Sequence, residues 1–215
     1  MKPLLNNTYG LYALIGFAAV FSLITPVNAQ DITNSKEPLE ITADGSLEWH
    51  RAQKRFIAIK NVQATQGDTS ITAQTLTADY TDGKDNGFQI SEVTADTDVI
   101  ITARDSAAYG DHGIYNLKTG LATLTGQNLK AVSPDQTVTA QEKFEYFVPQ
   151  GKLNAIGNAK AVRPDGKGGT NTLAADMLTA TLKENAEGKR VLDTLEAKGN
   201  VVIITATERV TGTYG

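Results

Sequence analysis

Residues 59–80 read IKNVQATQGDTSITAQTLTADY and contain both halves of a unit that recurs along the chain. The ITAQTLTADY half returns in loose form, with starts near residues 41, 71, 101, 138 and 173 at spacings of 30 to 37 residues. The other half, a small or polar turn before an apolar stretch, returns as TGQNLKAV (125–132), IGNAKAV (156–162) and KGNVVII (198–204). Self-similarity at a fixed period is typical of folds that stack one unit. Because the unit has the length of two strands and two turns, it predicts a long antiparallel β structure.

Apolar residues alternate with polar ones through the repeats, and this alternation predicts strands. Ile71 and Ala73 share one phase, whereas Leu76, Ala78 and Tyr80 share the other. A change of phase within one strand predicts a bulge or a bend. The copy that starts near residue 173 shows the same change of phase, whereas the copy that starts near residue 138 keeps one phase over residues 138–148.

Turn signals divide the chain into roughly ten to twelve short strands. A series of short strands without helices between them favours a sandwich, a barrel or a rolled sheet. The predicted turns lie at residues 81–87, 110–113, 118–120, 149–151, 164–169 and 184–188.

The N-terminus has the pattern of a secretory signal peptide over residues 1–29. Lys2 precedes an apolar run of 14 residues, 11–24, and Val27-Asn28-Ala29 resembles a cleavage site with small residues at the required positions. Such a run spans only about 21 Å as a helix, which is short for a membrane span. We therefore expect cleavage after Ala29, with an uncleaved membrane anchor as the alternative. Residues 30–38 are expected to form a flexible lead, and residues 39–215 a single domain.

The composition excludes several classes of function. Removing residues 1–29 takes away one basic residue and no acidic one, which leaves 19 basic and 24 acidic residues. This mildly acidic balance argues against nucleic acid as a partner, because nucleic-acid binding needs a basic stripe. The chain has no cysteine, so neither disulfides nor thiolate metal sites are available.

The apolar positions carry mostly alanine, valine, leucine and isoleucine, with few large aromatic residues. A rolled sheet with such small residues either fills its interior or leaves an apolar groove, and the sequence does not separate the two. A groove would suit a lipid, because each buried methylene contributes about 0.8 kcal/mol. An acyl chain of about a dozen carbons then gains on the order of 10 kcal/mol before binding costs.

Several stretches resemble the LptA/OstA-like family of periplasmic lipopolysaccharide-transport proteins. The longest is the pattern NVxAxQGDTxIxAxxLxADY within residues 61–80, whose order and spacing are more specific than any single TAD triplet. The likeness covers nearly all of residues 39–215 and also includes ITADGSLEW (41–49), GIYNLKTGLATLTGQNLKAV (113–132) and AIGNAKAV (155–162).

The resemblance implies an elongated antiparallel β-jellyroll whose apolar groove carries the acyl chains of lipid A. It also implies edge-to-edge contacts with LptC-like inner-membrane and LptD-like outer-membrane components, and head-to-tail association between copies. An open sheet that ends in a strand agrees with this, since unpaired backbone groups are a template for another strand. We expect a periplasmic, non-enzymatic carrier without cofactors.

The groove is expected to be lined by the apolar phase of the repeats. The lining also includes four residues from the turn-and-apolar half of the repeat, called second-half residues: Val62, Leu129, Ala159 and Val201. The predicted lining residues from the half that resembles ITAQTLTADY are Ile41, Ala43, Leu47, Ile71, Ala73, Leu76, Ala78, Ile101, Ala103, Val138, Ala140, Leu173 and Ala175.

One basic cluster and the only tryptophan adjoin each other in the sequence. Arg51, Lys54 and Arg55 either contact lipid phosphates or an acidic partner surface, or belong to a solvated hairpin turn. Trp49 either lies at the groove mouth or plugs one end of the core.

Repeated acids and two histidines are the candidates for chemistry. Asp44, Asp79 and Asp176 either form carboxylate pairs for glycoside cleavage or make local hydrogen bonds to the backbone at strand ends or in turns. His50 and His112 lack the further ligands that a metal site needs, and we expect both at the surface.

Three rival hypotheses remain open at this point. A membrane-anchored LptC-like subunit would retain its N-terminal segment. A β-helix enzyme acting on polysaccharide would need a cluster of acids, and a structural filament would have a filled, dry core.

Overall fold

The computed structural model describes residues 39–83, 87–186 and 190–215. The predicted signal peptide and flexible lead lie outside these residues. Within them, no helix is long and apolar enough to cross a membrane. Two short 3-10 turns, Arg51–Gln53 and Val148–Gln150, accompany fourteen strands: β1 (Glu40–Thr42), β2 (Leu47–His50), β3 (Arg55–Gln66), β4 (Thr69–Asp82), β5 (Phe88–Ala103), β6 (Ser106–Asn116), β7 (Leu121–Thr125), β8 (Lys130–Ser133), β9 (Gln136–Thr139), β10 (Lys143–Phe147), β11 (Lys152–Pro164), β12 (Thr170–Glu184), β13 (Arg190–Ile204) and β14 (Arg209–Tyr214).

All fourteen described strands belong to one antiparallel sheet, which confirms the predicted all-β jellyroll class. The main order is β1-β3-β4-β5-β6-β7-β10-β11-β12-β13-β14. The short strand β2 pairs with β3 beside β1, and β8 and β9 fill the gap between β6 and β11. Sequence neighbours are therefore mostly sheet neighbours, as expected for a stacked repeat.

Each long strand bends in the middle, where the pairing register shifts. In β3, β5, β11 and β13, the bend contains two consecutive residues with positive φ. Left-handed backbone is uncommon for residues other than glycine, and Asn and Asp tolerate it best. The four pairs are Lys60-Asn61, Thr97-Asp98, Gly157-Asn158 and Gly199-Asn200. The GN and KN dipeptides of the repeat are thus the corners of the sheet.

The corner asparagines are held by the polar residue that follows the TA or AA dipeptide of the repeat. Asn61 donates to Asp44 at 2.8 Å, and Asn200 donates to both oxygens of Asp176 at 3.0 Å. Asn158 donates to Gln141 at 2.7 Å. The two halves of the repeat therefore meet at these three corners through a side-chain hydrogen bond.

The bends divide the sheet into two arms that enclose a single core. The first arm holds β2, β7 and β10, and the second arm holds β1, β8, β9 and β14; the long strands cross both. Valine, leucine, isoleucine and alanine side chains on the facing sides of the arms form the buried cluster.

One predicted turn and the predicted number of strands are wrong. Residues 110–113 do not form a turn: they continue β6, because the bend in β5 at Thr97-Asp98 lets both strands run on together. Residues 138–148 keep one face, as predicted, but form two strands, because Gln141 and Glu142 bond to the corner of β11 instead of extending β9. Such interruptions raise the strand count above the predicted ten to twelve.

Replacing Gly157 with alanine should destabilise the fold through the corner of β11. Gly157 has φ +88°, and an added Cβ would lie 2.9 Å from the backbone nitrogen of Glu142. Gly166 also has positive φ (+75°), but a Cβ added there would have no other atom within 4 Å. Because both substitutions incur backbone strain, we expect Gly157→Ala to cost about 1–3 kcal/mol more than Gly166→Ala, which is the typical cost of overpacking. Urea denaturation of both variants measures this difference, and equal losses would contradict it.

Candidate functional site

A cavity of about 90 Å³ lies between the two arms in the C-terminal half of the sheet. Its walls are mostly apolar, which is typical of ligand pockets in proteins. Ala108, Ala131, Gln136, Val138 and Ala161 line it from the second arm. The first arm supplies Phe144, Leu153, Asn154, Ala155, Leu178, Ala180, Leu192 and Leu195.

Uninterrupted apolar rows run across the sheet on the inner side of each arm. Residues directly opposite each other on paired strands point to the same face, so the register defines these rows. The row of the second arm crosses eleven strands: Ile41, Ala64, Ile71, Ile101, Ala108, Ala131, Val138, Ala161, Leu173, Ile203 and Val210. The row of the first arm consists of Leu47, Ala58, Leu76, Ala95, Gly113, Leu124, Phe144, Ala155, Leu178 and Ala197.

The predicted groove residues divide into three groups by burial. Ile71, Ala73, Leu76, Ile101, Ala103, Ala140 and Ala175 are buried, as are the second-half residues Val62, Leu129, Ala159 and Val201. Ala43, Ala78, Val138 and Leu173 are partly buried against the core.

Ile41 and Leu47 form the third group, since they are not enclosed between the arms. Ile41 is 38% and Leu47 is 64% exposed. They start the two inner rows at the sheet edge, where no further described strand covers them. Of the predicted set, only Val138 lines the cavity itself. The lipid-binding role assigned to the whole set stays a prediction.

The N-terminal half of the interior is filled by side chains. Val62, Val99, Leu124 and Leu129 are the largest aliphatic side chains that are almost completely buried, and Leu124 fits beside Gly110 and Gly113. A methyl group added at Gly110 would lie 2.7 Å from Leu124 Cγ. The cavity described above is lined by residues of β6 and β8–β13, a location that the sequence did not indicate.

A charged residue that the sequence interpretation missed lies beside the cavity, next to residues that line it. Arg190 is on β13 and shares the inner phase of Leu192, which lines the cavity. Its Nη1 donates to the Tyr146 hydroxyl and, at 2.9 Å, to the Val148 carbonyl. Tyr146 in turn lies opposite Leu153, another cavity residue. The only sequence signal was an arginine in phase with apolar neighbours, close to a predicted turn.

Two phenols accompany Arg190 on the inner side of the first arm. Tyr115 and Tyr146 both lie opposite Ala122, and Tyr146 is completely buried. Burial raises the pKa of the Tyr146 phenol, against the opposing effect of Arg190. Burial also raises the pKa of the Tyr115 phenol. Both groups therefore stay protonated at neutral pH and are able to donate hydrogen bonds.

The basic cluster lies in the turn between β2 and β3 at the tip of the first arm. Arg55 makes a bidentate pair with Asp79 at 2.7 and 2.9 Å, and Lys54 pairs with Asp82. Arg51 lies 4.0 Å from the ring centre of Trp49. All three cations thus have a contact within the chain, and their predicted contact with phosphates or a partner remains a prediction.

Trp49 belongs to an aromatic group at the same tip. Its ring stacks on Phe56 with centroids 5.5 Å apart, and its Nε1 donates to the Tyr80 hydroxyl at 2.8 Å. Phe88 packs against Phe56 and Tyr80. Trp49 itself is 50% exposed, so it covers the end of the arm without entering the core.

The repeated acids and the histidines have partners within the chain. Asp44 and Asp176 hold corner asparagines and Asp79 pairs with Arg55, so their partners are side chains and not the backbone groups expected at strand ends. His50 and His112, both partly exposed, contact Glu48 at 2.6 Å and Asp96 at 2.5 Å.

Both edges of the described sheet expose apolar side chains from its inner face. Ile41, Leu47 and Trp49 are exposed at the β1–β2 edge. At the opposite edge, Leu195 and Ile203 on β13 and Val210 on β14 are exposed, with Val210 at 52%. The two inner faces thus continue to the ends of the sheet without a polar boundary.

The comparisons with known proteins give one family. A family described as LptA/(LptD N-terminal domain) LPS transport protein matches residues 40–152, which is more than half of the chain. No curated protein matches. Among solved structures, the chain is similar to LptH of Pseudomonas aeruginosa, described as the LptA homologous periplasmic component of the conserved lipopolysaccharide transport device. That likeness covers 80% of this chain and 96% of LptH at 17% identity with a TM-score of 0.31, and it adds no weight to the assignment. By the match over residues 40–152, the chain belongs to the LptA/LptD N-terminal domain family of lipopolysaccharide transport proteins.

Proposed function

We propose that this protein is a periplasmic, non-enzymatic carrier that holds the acyl chains of lipopolysaccharide between its two arms. The observation that carries the proposal is the pair of apolar rows on the inner sides of the two arms, whose residues line a cavity between the arms. Lipid A needs such a surface, because each methylene transferred from water contributes about 0.8 kcal/mol. The match to a family of lipopolysaccharide transport proteins supports the same ligand.

Loading requires the arms to move apart. The cavity of about 90 Å³ is smaller than the roughly 150 Å³ that accommodates one benzene ring. An acyl chain therefore fits only after the arms separate, and the corners between the arms are the natural hinges. We expect the arms to separate more easily in the C-terminal half, which contains the cavity, than in the N-terminal half, where side chains fill the interior.

Passage along a series of domains follows from the sheet edges. An added strand at β14 or at β1–β2 would pair with unpaired backbone groups and cover the exposed apolar ends of the rows. LptC-like and LptD-like components and further copies of this chain are the proposed partners, because matching domains would continue the inner surface without a break. Direction would come from an energy source elsewhere in the pathway.

Filling the cavity should abolish lipid loading. Ala180→Phe adds an aromatic ring at an inner position that lines the cavity. The matched control, Ala174→Phe on the same strand, lies opposite Lys160 and Val202 on the outer face. We expect Ala180→Phe to weaken lipopolysaccharide binding to the purified protein at least tenfold, with the control near wild type. Equal binding by both variants would overturn the carrier function.

A further inference from the structure

A polar, positively charged group lies beside the residues that line the cavity, toward the tip of the first arm. The Arg190 guanidinium, the Tyr146 hydroxyl and the Val148 carbonyl meet there. Leu192 on the strand of Arg190 and Leu153 opposite Tyr146 both line the cavity. Arg190 on β13 and its partner Tyr146 on β10 are therefore both close to residues that line the cavity.

Arg190 lacks an acidic partner among the residues that the structure describes. The other described arginines of the first arm differ: Arg55 pairs with Asp79, and Arg51 lies over Trp49. Glu184 lies opposite Arg190 in the pairing of β12 and β13, but among the described residues no ion pair joins the two side chains, and the guanidinium is held by two neutral oxygens. Burying a cation in this way costs free energy unless an anion offsets the charge.

The hydrogen-bonding capacity of Arg190 leaves room for a ligand. Both of its hydrogen bonds to the protein are donated by Nη1. A guanidinium has five N–H donors in a planar fork, and this fork matches the oxygens of a carboxylate or a phosphate. The bonds from Nη1 fix the orientation of the group, so an anion bound at the other donors need not displace Tyr146.

We propose that Arg190 is the head-group site of this cavity, where its guanidinium binds the head-group phosphate of a lipid, or the carboxylate of a fatty acid, whose chain lies between the arms. This assignment rests on the lipid-carrier function proposed above. The acyl chain occupies the space lined by Phe144, Leu178 and Leu195, and the oxyanion lies at the tip. Tyr115 supplies a further hydroxyl on the same face.

Titration calorimetry with three ten-carbon amphiphiles below their micelle concentrations tests the site. Decyl phosphate and decanoate carry an oxyanion, whereas decyl glucoside carries none. We expect the wild type to bind at least one of the two anionic probes more tightly than decyl glucoside. Preference for decyl phosphate assigns the site to lipid phosphates, and preference for decanoate assigns it to free fatty acids.

The decisive variant is Arg190→Gln, because a lost charge-assisted bidentate contact should weaken binding of the preferred anion about tenfold or more. Affinity for decyl glucoside should stay within about twofold, which also shows that the variant folds. Arg190→Lys should recover part of the loss, since it keeps the charge without the fork. Arg104→Gln, at a turn of the second arm beside Asp68, is the matched control and should bind as the wild type does.

Two results would overturn the assignment and separate it from the carrier function. If the wild type binds all three probes equally and Arg190→Gln changes nothing, Arg190 is not a head-group site, although the carrier function stands. If the wild type binds none of the three probes, both the head-group site and the carrier function fail.

Discussion

Replacing Leu124 with alanine is expected to lower the free energy of unfolding by about 3–5 kcal/mol. Leu124 is completely buried and occupies the niche beside Gly110 and Gly113, with Val99 and Ala95 close by. The surrounding strands are tied by their ladders and collapse little into the space. Domains of this size have only about 5–15 kcal/mol of stability, so the loss should be visible in a urea denaturation curve followed by circular dichroism.

Leu47 provides the matched control, because it lies in the same cross-strand row and is 64% exposed. Leu47→Ala should change the unfolding free energy by less than about 1 kcal/mol. The two variants share the residue type and the face of the sheet, and the positions differ in burial, since Leu47 is on the edge strand β2 and Leu124 on the interior strand β7. Similar losses in both variants would mean that the N-terminal half of the interior is not the packed core described above.

Replacing Val210 with lysine is expected to weaken head-to-tail association between copies by about 30-fold or more. If β14 of one copy pairs beside β1 of the next, Val210 enters the apolar row between Ile203 and Ile41. A lysine there would bury an unpaired charge, and central interface positions commonly cost about 2 kcal/mol or more when disrupted. Sedimentation velocity over a range of concentrations measures the change.

The control for this variant is Thr211→Lys, which adds the same charge on the same edge strand. Thr211 follows Val210 and therefore points to the opposite face of the sheet. We expect the control to associate within a few-fold of the wild type. A wild-type protein that stays monomeric at every concentration, or equal weakening by both lysines, would refute edge-to-edge assembly through this row.

Much of the fold was predictable because the repeat encodes it locally. The phase slip between Ala73 and Leu76 gave the bend of β4, where the structure has a register shift. The GN dipeptides gave turns that proved to be corners, since Gly and Asn tolerate left-handed backbone. The corner at Thr97-Asp98 carries no such signal, and this is why residues 110–113 were interpreted as a turn.

The candidate site was less predictable, because it depends on contacts that sequence periodicity does not report. Alternation placed Ile71 and Leu76 on the inner side, but it does not tell whether that side is filled or open. Ile41 and Leu47 follow the same pattern and are exposed, because only the tertiary arrangement makes their strands an edge. Arg190 contacts Tyr146 across 44 residues of sequence, a separation that no local pattern spans.

Photo-crosslinking of lipopolysaccharide in living cells tests the central claim most directly. A benzoyl-phenylalanine probe would replace Leu178 in the first arm or Val138 in the second, both of which line the cavity. Thr137, the outward neighbour of Val138, is the control. Lipid adducts at Leu178 and Val138 but not at Thr137 are the predicted result. Exported, folded protein without adducts at either inner position, or with equal labelling at Thr137, would contradict a carrier that holds acyl chains between its arms.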